Sequence, residues 1–157
     1  MKMFKKLMAI ALVGVMALSM LTGCAVTDAI KEKALREGLG SAASTELGNG
    51  KKVTFKGDND LDKVAKKAVE GLTYGSTDLN PVDEKYAVAV TEIKKSTNTA
   101  DEFKNGYGKK LVKQLTTDGF VLKEGTHKLG VKFFNLEDKA NNKTYYYVIV
   151  VAEKPVA

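Results

Sequence analysis

The segment Tyr145–Val151, which reads YYYVIVV, decides the fold of this chain. Aromatic and β-branched residues are enriched in strands, and an almost unbroken run of them is typical of a strand that is covered on both faces. We therefore predict that this segment is the central strand of a sheet with helices packed against it. Because side chains alternate along a strand, we expect Tyr146 to face away from Tyr145 and Tyr147.

The segment just before it predicts the partner strand. Lys128–Phe134 alternates apolar and basic residues, and a polar stretch, Asp138–Lys143, separates it from the tyrosine run. Alternation with period two indicates a strand, and a short polar connection indicates an antiparallel pairing. The two segments are therefore predicted to form a C-terminal β-hairpin.

Upstream segments supply two helices and two more strands. Residues 51–56 and 85–93 have strand patterns, and Thr99-Ala-Asp-Glu102 matches the capping box that opens a helix. The clearest helix has a single apolar stripe of period 3.6, formed by Leu61, Val64, Ala65, Ala68, Val69 and Leu72. The sequence thus predicts a single α+β domain, an α–β–α layered sandwich whose sheet is mainly antiparallel.

The segment between Cys24 and Gly50 is predicted to contain a short helix, followed by a tether to the domain or a loop within it. Residues 27–37 have helical spacing, and Gly38 is expected to end the helix. Residues 38–50 contain four glycines together with Ser, Thr and Asn, which predicts a tether or a loop. The expected organisation is residues 1–23 as a removed signal peptide, 24–50 as an anchor segment, and 51–157 as the α+β domain.

The N-terminal residues have the pattern of a targeting signal. Lys2, Lys5 and Lys6 precede a stretch of 17 residues without charge, Leu7–Gly23. This is the pattern of a secretory signal, and it is somewhat short for a membrane-spanning helix. The stretch ends in Leu21-Thr22-Gly23-Cys24, which resembles the bacterial lipobox. The resemblance implies cleavage before Cys24 and acylation, of the palmitate type, on its sulfur.

Acylation of Cys24 would limit the chemistry of the mature chain. Cys24 is the single cysteine, so no thiol would remain for a disulfide, a nucleophile or a metal ligand. Two or more acyl chains give stable anchoring, because each buried methylene contributes about 0.8 kcal/mol. We therefore expect a lipid-anchored, extracytoplasmic protein of the cell membrane or the outer membrane.

The candidate site is a cleft between the second predicted strand and the helix that follows it. Glu92, Glu102 and Tyr107 would line this cleft, and two carboxylates about 5 to 9.5 Å apart could hydrolyse a glycosidic bond. The capping box also explains Glu102, and Glu92 lies near the end of a strand. His127 is the single histidine and is expected to be structural, so no catalytic residue, metal site or cofactor is predicted.

A basic helix face is the other surface candidate. Lys104, Lys109, Lys110 and Lys113 fall on the predicted helix after Thr99. Such a face could attract anionic lipids or wall polymers, although a solvated surface explains it equally well. An extracytoplasmic address and the lack of interleaved aromatic residues argue against nucleic acid as a partner.

The order of these motifs resembles the CAP superfamily, the cysteine-rich secretory, antigen-five and pathogenesis-related proteins. The resemblance spans about residues 28–152 and rests on six stretches: Arg36–Leu39, Asp60–Ala68, Val90–Ile93, Thr99–Glu102, Lys128–Val131 and Tyr145–Val148. The family's cleft holds two histidines and two glutamates, sometimes around a metal. Glu92 and Glu102 fall at the glutamate positions, and neither histidine has a counterpart. The resemblance thus implies a reduced domain that binds or scaffolds.

Three functions follow from these features. The first is a lipid-anchored, non-enzymatic binding or scaffolding domain, whose partners are the membrane, through the lipid on Cys24, and a protein, a lipid or a wall polymer. The second is a degenerate CAP-like domain with residual hydrolase activity through Glu92 and Glu102. The third is an accessory factor in envelope assembly, which would use an exposed apolar patch.

Overall fold

A computed structural model describes residues 25–76 and 78–155 of the chain. The predicted signal peptide and Cys24 lie outside these residues. The elements, in chain order, are α1 (Ala25–Leu47), β1 (Val53–Gly57), α2 (Asn59–Val69), β2 (Tyr86–Ile93), α3 (Ala100–Phe103), a π-helical turn (Lys104–Gly108), α4 (Lys109–Thr117), β3 (Gly125–Asp138) and β4 (Lys143–Glu153).

The four strands form one mixed sheet in the order β1-β3-β4-β2. β3 and β4 pair as an antiparallel hairpin, β4 also pairs antiparallel with β2, and β1 joins β3 in parallel. The predictions of an α+β fold, of a mainly antiparallel sheet and of a C-terminal hairpin are confirmed. β4 contains the tyrosine run and lies between β3 and β2, which is the interior position predicted from its composition.

Helices cover both faces of this sheet, so the core has two parts. On one face, α1 and α4 bury apolar side chains of every strand, including Phe55, Ala89, Val131 and Val150. On the other face, α2 packs its stripe, including Leu61 and Ala65, against the opposite side chains of β2, β3 and β4. The layers are therefore α, β and α, as the apolar stripes of the helices predicted.

The prediction of a helix end at Gly38, followed by a tether or loop, is wrong. α1 continues to Leu47, and the next residue, Gly48, ends it with a φ of 72°. Its glycines allow close contacts instead of breaking the helix. A β-carbon on Gly38 would lie 2.5 Å from the carbonyl oxygen of Ala100, and one on Gly40 would lie 3.0 Å from that of Val53. α1 is thus part of the domain, and it buries Leu35 and Leu39 completely.

The helix predicted after Thr99 is present, and it contains a π-helical turn. Thr99 and Glu102 form the capping box, and α3 and α4 flank the turn Lys104–Gly108. Gly108 faces α1, where a β-carbon would come within 2.7 Å of the Ala42 side chain. Gly108 therefore marks a close contact between helices, whereas a β-carbon on Gly106 would meet nothing within 4 Å.

Candidate functional site

The structure does not bring Glu92 and Glu102 into one cleft. Ile93 faces α1 and α4, as do Ala87 and Ala89, so the alternation along β2 directs Glu92 to the α2 face. α3, which carries Glu102, packs against α1 on the opposite face, and both carboxylates are exposed. A hydrolase needs both carboxylates beside one bond, and this arrangement does not provide that geometry.

Glu102 is held by the start of its own helix. Its Oε1 accepts hydrogen bonds from the backbone amides of Asn98, at 3.0 Å, and Thr99, at 3.1 Å, and from the Thr99 hydroxyl. These hydrogen bonds to Asn98 and Thr99 lower the pKa of Glu102 below its ordinary value. A carboxylate kept ionised in this way is a poor general acid.

Tyr107 is also engaged in structure. Its hydroxyl accepts a hydrogen bond of 3.0 Å from the backbone amide of Lys94, just after β2 ends. Its half-buried ring lies 6.4 Å from that of Phe103, measured between centroids. Tyr107 therefore joins the π-helical turn to the end of β2, and the predicted cleft of Glu92, Glu102 and Tyr107 is not formed.

His127 packs among aromatic rings. Its ring centroid lies 5.2 Å from that of Phe120 and 5.9 Å from that of Phe55. Its Nε2 is 2.8 Å from the carbonyl oxygen of Lys123. The side chain is thus part of the packing at the start of β3, as expected from a single histidine beside a strand.

The tyrosine run is used mainly for packing. Tyr145 and Tyr147 point to the α2 face and Tyr146 to the other, as the alternation predicted. Tyr145 stacks on Tyr74, with centroids 5.8 Å apart, and Tyr147 stacks on Phe134 at 5.3 Å. These rings cover one another, which is the core-packing role expected for them.

Side chains from helices pair with the outer edges of the sheet. Along β2, the amides of Val88 and Val90 donate to Oδ2 of Asp118 and Oε1 of Gln114, at 2.9 and 3.0 Å. Along β1, the amide of Val53 donates to Oγ of Ser44 at 2.8 Å. An unpaired strand edge can recruit another chain, and these hydrogen bonds occupy amides that would otherwise be available.

The candidate binding site is an open groove between the C-terminal half of α1 and strand β1. Its volume is about 840 Å³, and its lining residues include Ser41 and Thr45. Glu37 is the one carboxylate among its lining residues. Four basic side chains line it: Arg36, Lys51, Lys52 and Lys104. The ion pair between Lys128 and Asp58 lies elsewhere, and Arg36 interacts electrostatically with Glu32, one turn earlier on α1.

The sequence did not predict this groove, because the glycines of residues 38–50 indicated a tether or a loop. The signal was present, since Gly38 and Ala42, and also Gly40 and Ser44, are spaced four residues apart. Small residues at this spacing lie on one side of a helix and permit close packing. A continuous α1 would have placed Arg36 at one end of the groove and Lys51 at the other.

Among residues 25–76 and 78–155, no group of three or more His, Cys, Asp or Glu side chains could hold a metal ion. In the same residues, no helix combines the length and the apolar character that crossing a bilayer requires.

Comparison of the chain with protein-family models, with curated proteins and with solved structures found no match. The resemblance to the CAP superfamily therefore stays a prediction, and the cleft that it implied is not assembled in the fold.

Proposed function

We propose that this chain is a lipid-anchored, extracytoplasmic, non-enzymatic binding domain whose α1–β1 groove binds an anionic wall polymer. The net positive charge of the groove carries this proposal. Arg36, Lys51, Lys52 and Lys104 line it together with one carboxylate, Glu37. Clustered charge of one sign attracts ligands of the opposite sign and raises their local concentration.

The shape of the groove favours a polymer over a small molecule. It is an open groove of about 840 Å³ lined by residues of α1 and β1, so a chain could lie along it without being enclosed. Drug-sized ligands are usually enclosed over most of their surface. Phosphate or carboxylate groups repeated along a polymer would meet the basic side chains in succession.

The position of the groove favours a wall polymer over a membrane lipid. α1 has 23 residues and is about 34 Å long at 1.5 Å per residue. The groove lies along its C-terminal half and extends to Lys52, whereas the predicted lipid on Cys24 lies next to its N-terminal end. The far end of the groove would thus be distant from the anchor.

The hydrolase alternative has no support from the geometry, because Glu92 and Glu102 lie on opposite sides of the sheet. The assembly-factor alternative stays a prediction. Among the described residues the exposed large apolar side chains are Ile30 and Val121, which lie in separate parts of the fold, on α1 and in the segment between α4 and β3.

Charge reversal in the groove tests the proposal. The acylated full chain, held in detergent, would be titrated with inorganic polyphosphate as a model polyanion. We expect the variant carrying both Lys51→Glu and Lys52→Glu to bind at least about 10-fold more weakly, a loss of about 1.4 kcal/mol. Added salt should weaken wild-type binding, since screening shortens the range of the attraction.

The matched control reverses Lys66 and Lys67. These lysines are also exposed and lie on the outer side of α2, on the opposite face of the sheet. The change in net charge is the same, so binding should stay within about 2-fold of wild type. Equal losses in the two double variants, or no binding by the wild type, would overturn the groove as the binding site.

A further inference from the structure

The first turns of α1 carry an exposed apolar side chain close to the predicted anchor. Ile30 is 58% exposed, and it is the sixth residue after Cys24. Three residues separate Cys24 from Asp28, and even when fully extended the four Cα–Cα steps between them span at most about 14 Å. A lipid on Cys24 would therefore hold this end of the helix next to the bilayer surface.

Lys31, the residue after Ile30, belongs to a cluster of lysines and aromatic rings. Nζ of Lys31 donates a hydrogen bond of 3.2 Å to the carbonyl oxygen of Lys95, and it lies 5.9 Å from the ring centroid of Phe133. Nζ of Lys95 lies 5.7 Å from the ring centroid of Tyr146. Both rings are half-buried, so each has an edge in the core and an edge outside it.

This combination suits the boundary between water and lipid. Tyrosine is enriched at membrane interfaces, and lysines there place their apolar stems along the hydrocarbon and their ammonium groups among the phosphates. Carboxylates are also near in sequence, since Asp28 and Glu32 both lie two residues from Ile30 on α1. The net charge is thus small, so the apolar and aromatic groups would supply the contact.

We propose that this end of the molecule, formed by Ile30, Lys31, Lys95, Phe133 and Tyr146, rests directly on the bilayer, with Ile30 inserted below the phosphates. This rests on the proposed acylation of Cys24, which supplies the anchor. The partner is the lipid bilayer itself, because the short chain between Cys24 and Asp28 leaves little room for another protein between them. The domain is then held in one orientation, with the groove at the far end of α1 directed away from the membrane.

The chain contains no tryptophan, so a single introduced one reports its own surroundings. The acylated full chain with Ile30→Trp would be placed in vesicles of phosphatidylcholine brominated on its acyl chains. We expect its fluorescence to fall at least about 2-fold relative to vesicles without bromine, because bromine quenches tryptophan on contact. The emission maximum should also shift to shorter wavelength.

Val121→Trp is the matched control. Val121 is the other exposed large apolar side chain of the described residues, at 48%, and it precedes β3, whose first residue Gly125 lies about 27 Å along the strand from Phe133. We expect no quenching of this variant. Equal quenching of both, or none at Ile30→Trp in vesicle-bound protein, would overturn the proposed orientation while leaving acylation intact. A chain that fails to float with the vesicles would contradict the anchor, and this inference with it.

Discussion

At the scale of single residues, one glycine sets how closely α2 approaches the sheet. Gly130 lies on β3 directly beneath the start of α2, where a β-carbon would meet the backbone of Leu61 and come within 2.7 Å of the Asp62 amide nitrogen. The Asp62 carboxylate in turn accepts a 2.9 Å hydrogen bond from the amide of Val131. The contact is between backbones, which cannot rotate out of the way as a flexible side chain would.

We therefore expect Gly130→Ala to lower the free energy of unfolding by about 1–3 kcal/mol, the usual cost of overpacking. Gly106→Ala is the control, because nothing lies within 4 Å of a β-carbon at that position of the π-helical turn. It should leave stability unchanged or raise it by up to about 1 kcal/mol, since alanine favours helices over glycine. Urea unfolding of the two variants would give both values. A Gly130→Ala variant as stable as wild type would contradict this account of the α2 contact.

Residue patterns predicted local features well and distant ones poorly. The capping box of Thr99 and Glu102 was predicted because its two members are three residues apart, and it is confirmed. The cleft required Glu92 and Glu102 to come together across a sheet, and nothing in their local sequence specifies on which face each carboxylate lies. Side chains alternate along β2, so Glu92 shares a face with Val88. Which helix covers that face is known only once the apolar partners of Val88 and Ala89 are known.

At the scale of elements, α1 is placed against β1 by hydrogen bonds as well as by apolar contact. Oγ of Ser44 accepts from the Val53 amide at 2.8 Å and lies 2.8 Å from the carbonyl oxygen of Gly40. The strand edge would otherwise present this amide to α1 without a partner. One hydroxyl therefore satisfies the edge of β1 and fixes the floor of the groove.

We expect Ser44→Ala to lower the free energy of unfolding by about 1–3 kcal/mol, because the half-buried Val53 amide loses its partner. Ser41→Ala changes the same residue type one turn earlier, where the side chain is exposed, and should have an effect within about 0.5 kcal/mol. Thermal unfolding followed by circular dichroism would compare the two. Equal losses of stability in both variants would contradict a specific role for Ser44 at the strand edge.

The elements themselves were predictable where one pattern ran without interruption. The stripe of α2 and the alternation of β3 and β4 depend on residues close in sequence. They lie where they were predicted, except that α2 ends at Val69 and Leu72 joins the same cluster from beyond the helix. α1 was not predicted to its full length, because Gly38 and Gly40 lower helix propensity locally. Their close contacts with Ala100 and Val53 are tertiary, and the packing that outweighs the propensity cost cannot be read from the segment alone. The parallel pairing of β1 with β3 is equally non-local.

At the scale of the whole molecule, three features fit a single arrangement. The lipobox-like stretch ends directly before α1. The end of the molecule proposed to rest on the bilayer, which includes Ile30, lies at the start of that helix, and the basic groove lies along its second half. In this account α1 links a membrane-facing end to a ligand-binding groove. All three assignments depend on what happens at Cys24.

The intact mass of the full-length protein, extracted with detergent from bacterial membranes, tests that dependence most directly. Our account predicts a chain that lacks residues 1–23, begins at Cys24 and carries the added mass of a diacylglycerol group on sulfur, with further acylation of the new N-terminus in some molecules. A Cys24→Ala variant should lack the added mass and should not enter the detergent phase on partitioning. A wild-type chain that retains residues 1–23, or that begins elsewhere with an unmodified Cys24 thiol, would contradict the central claim.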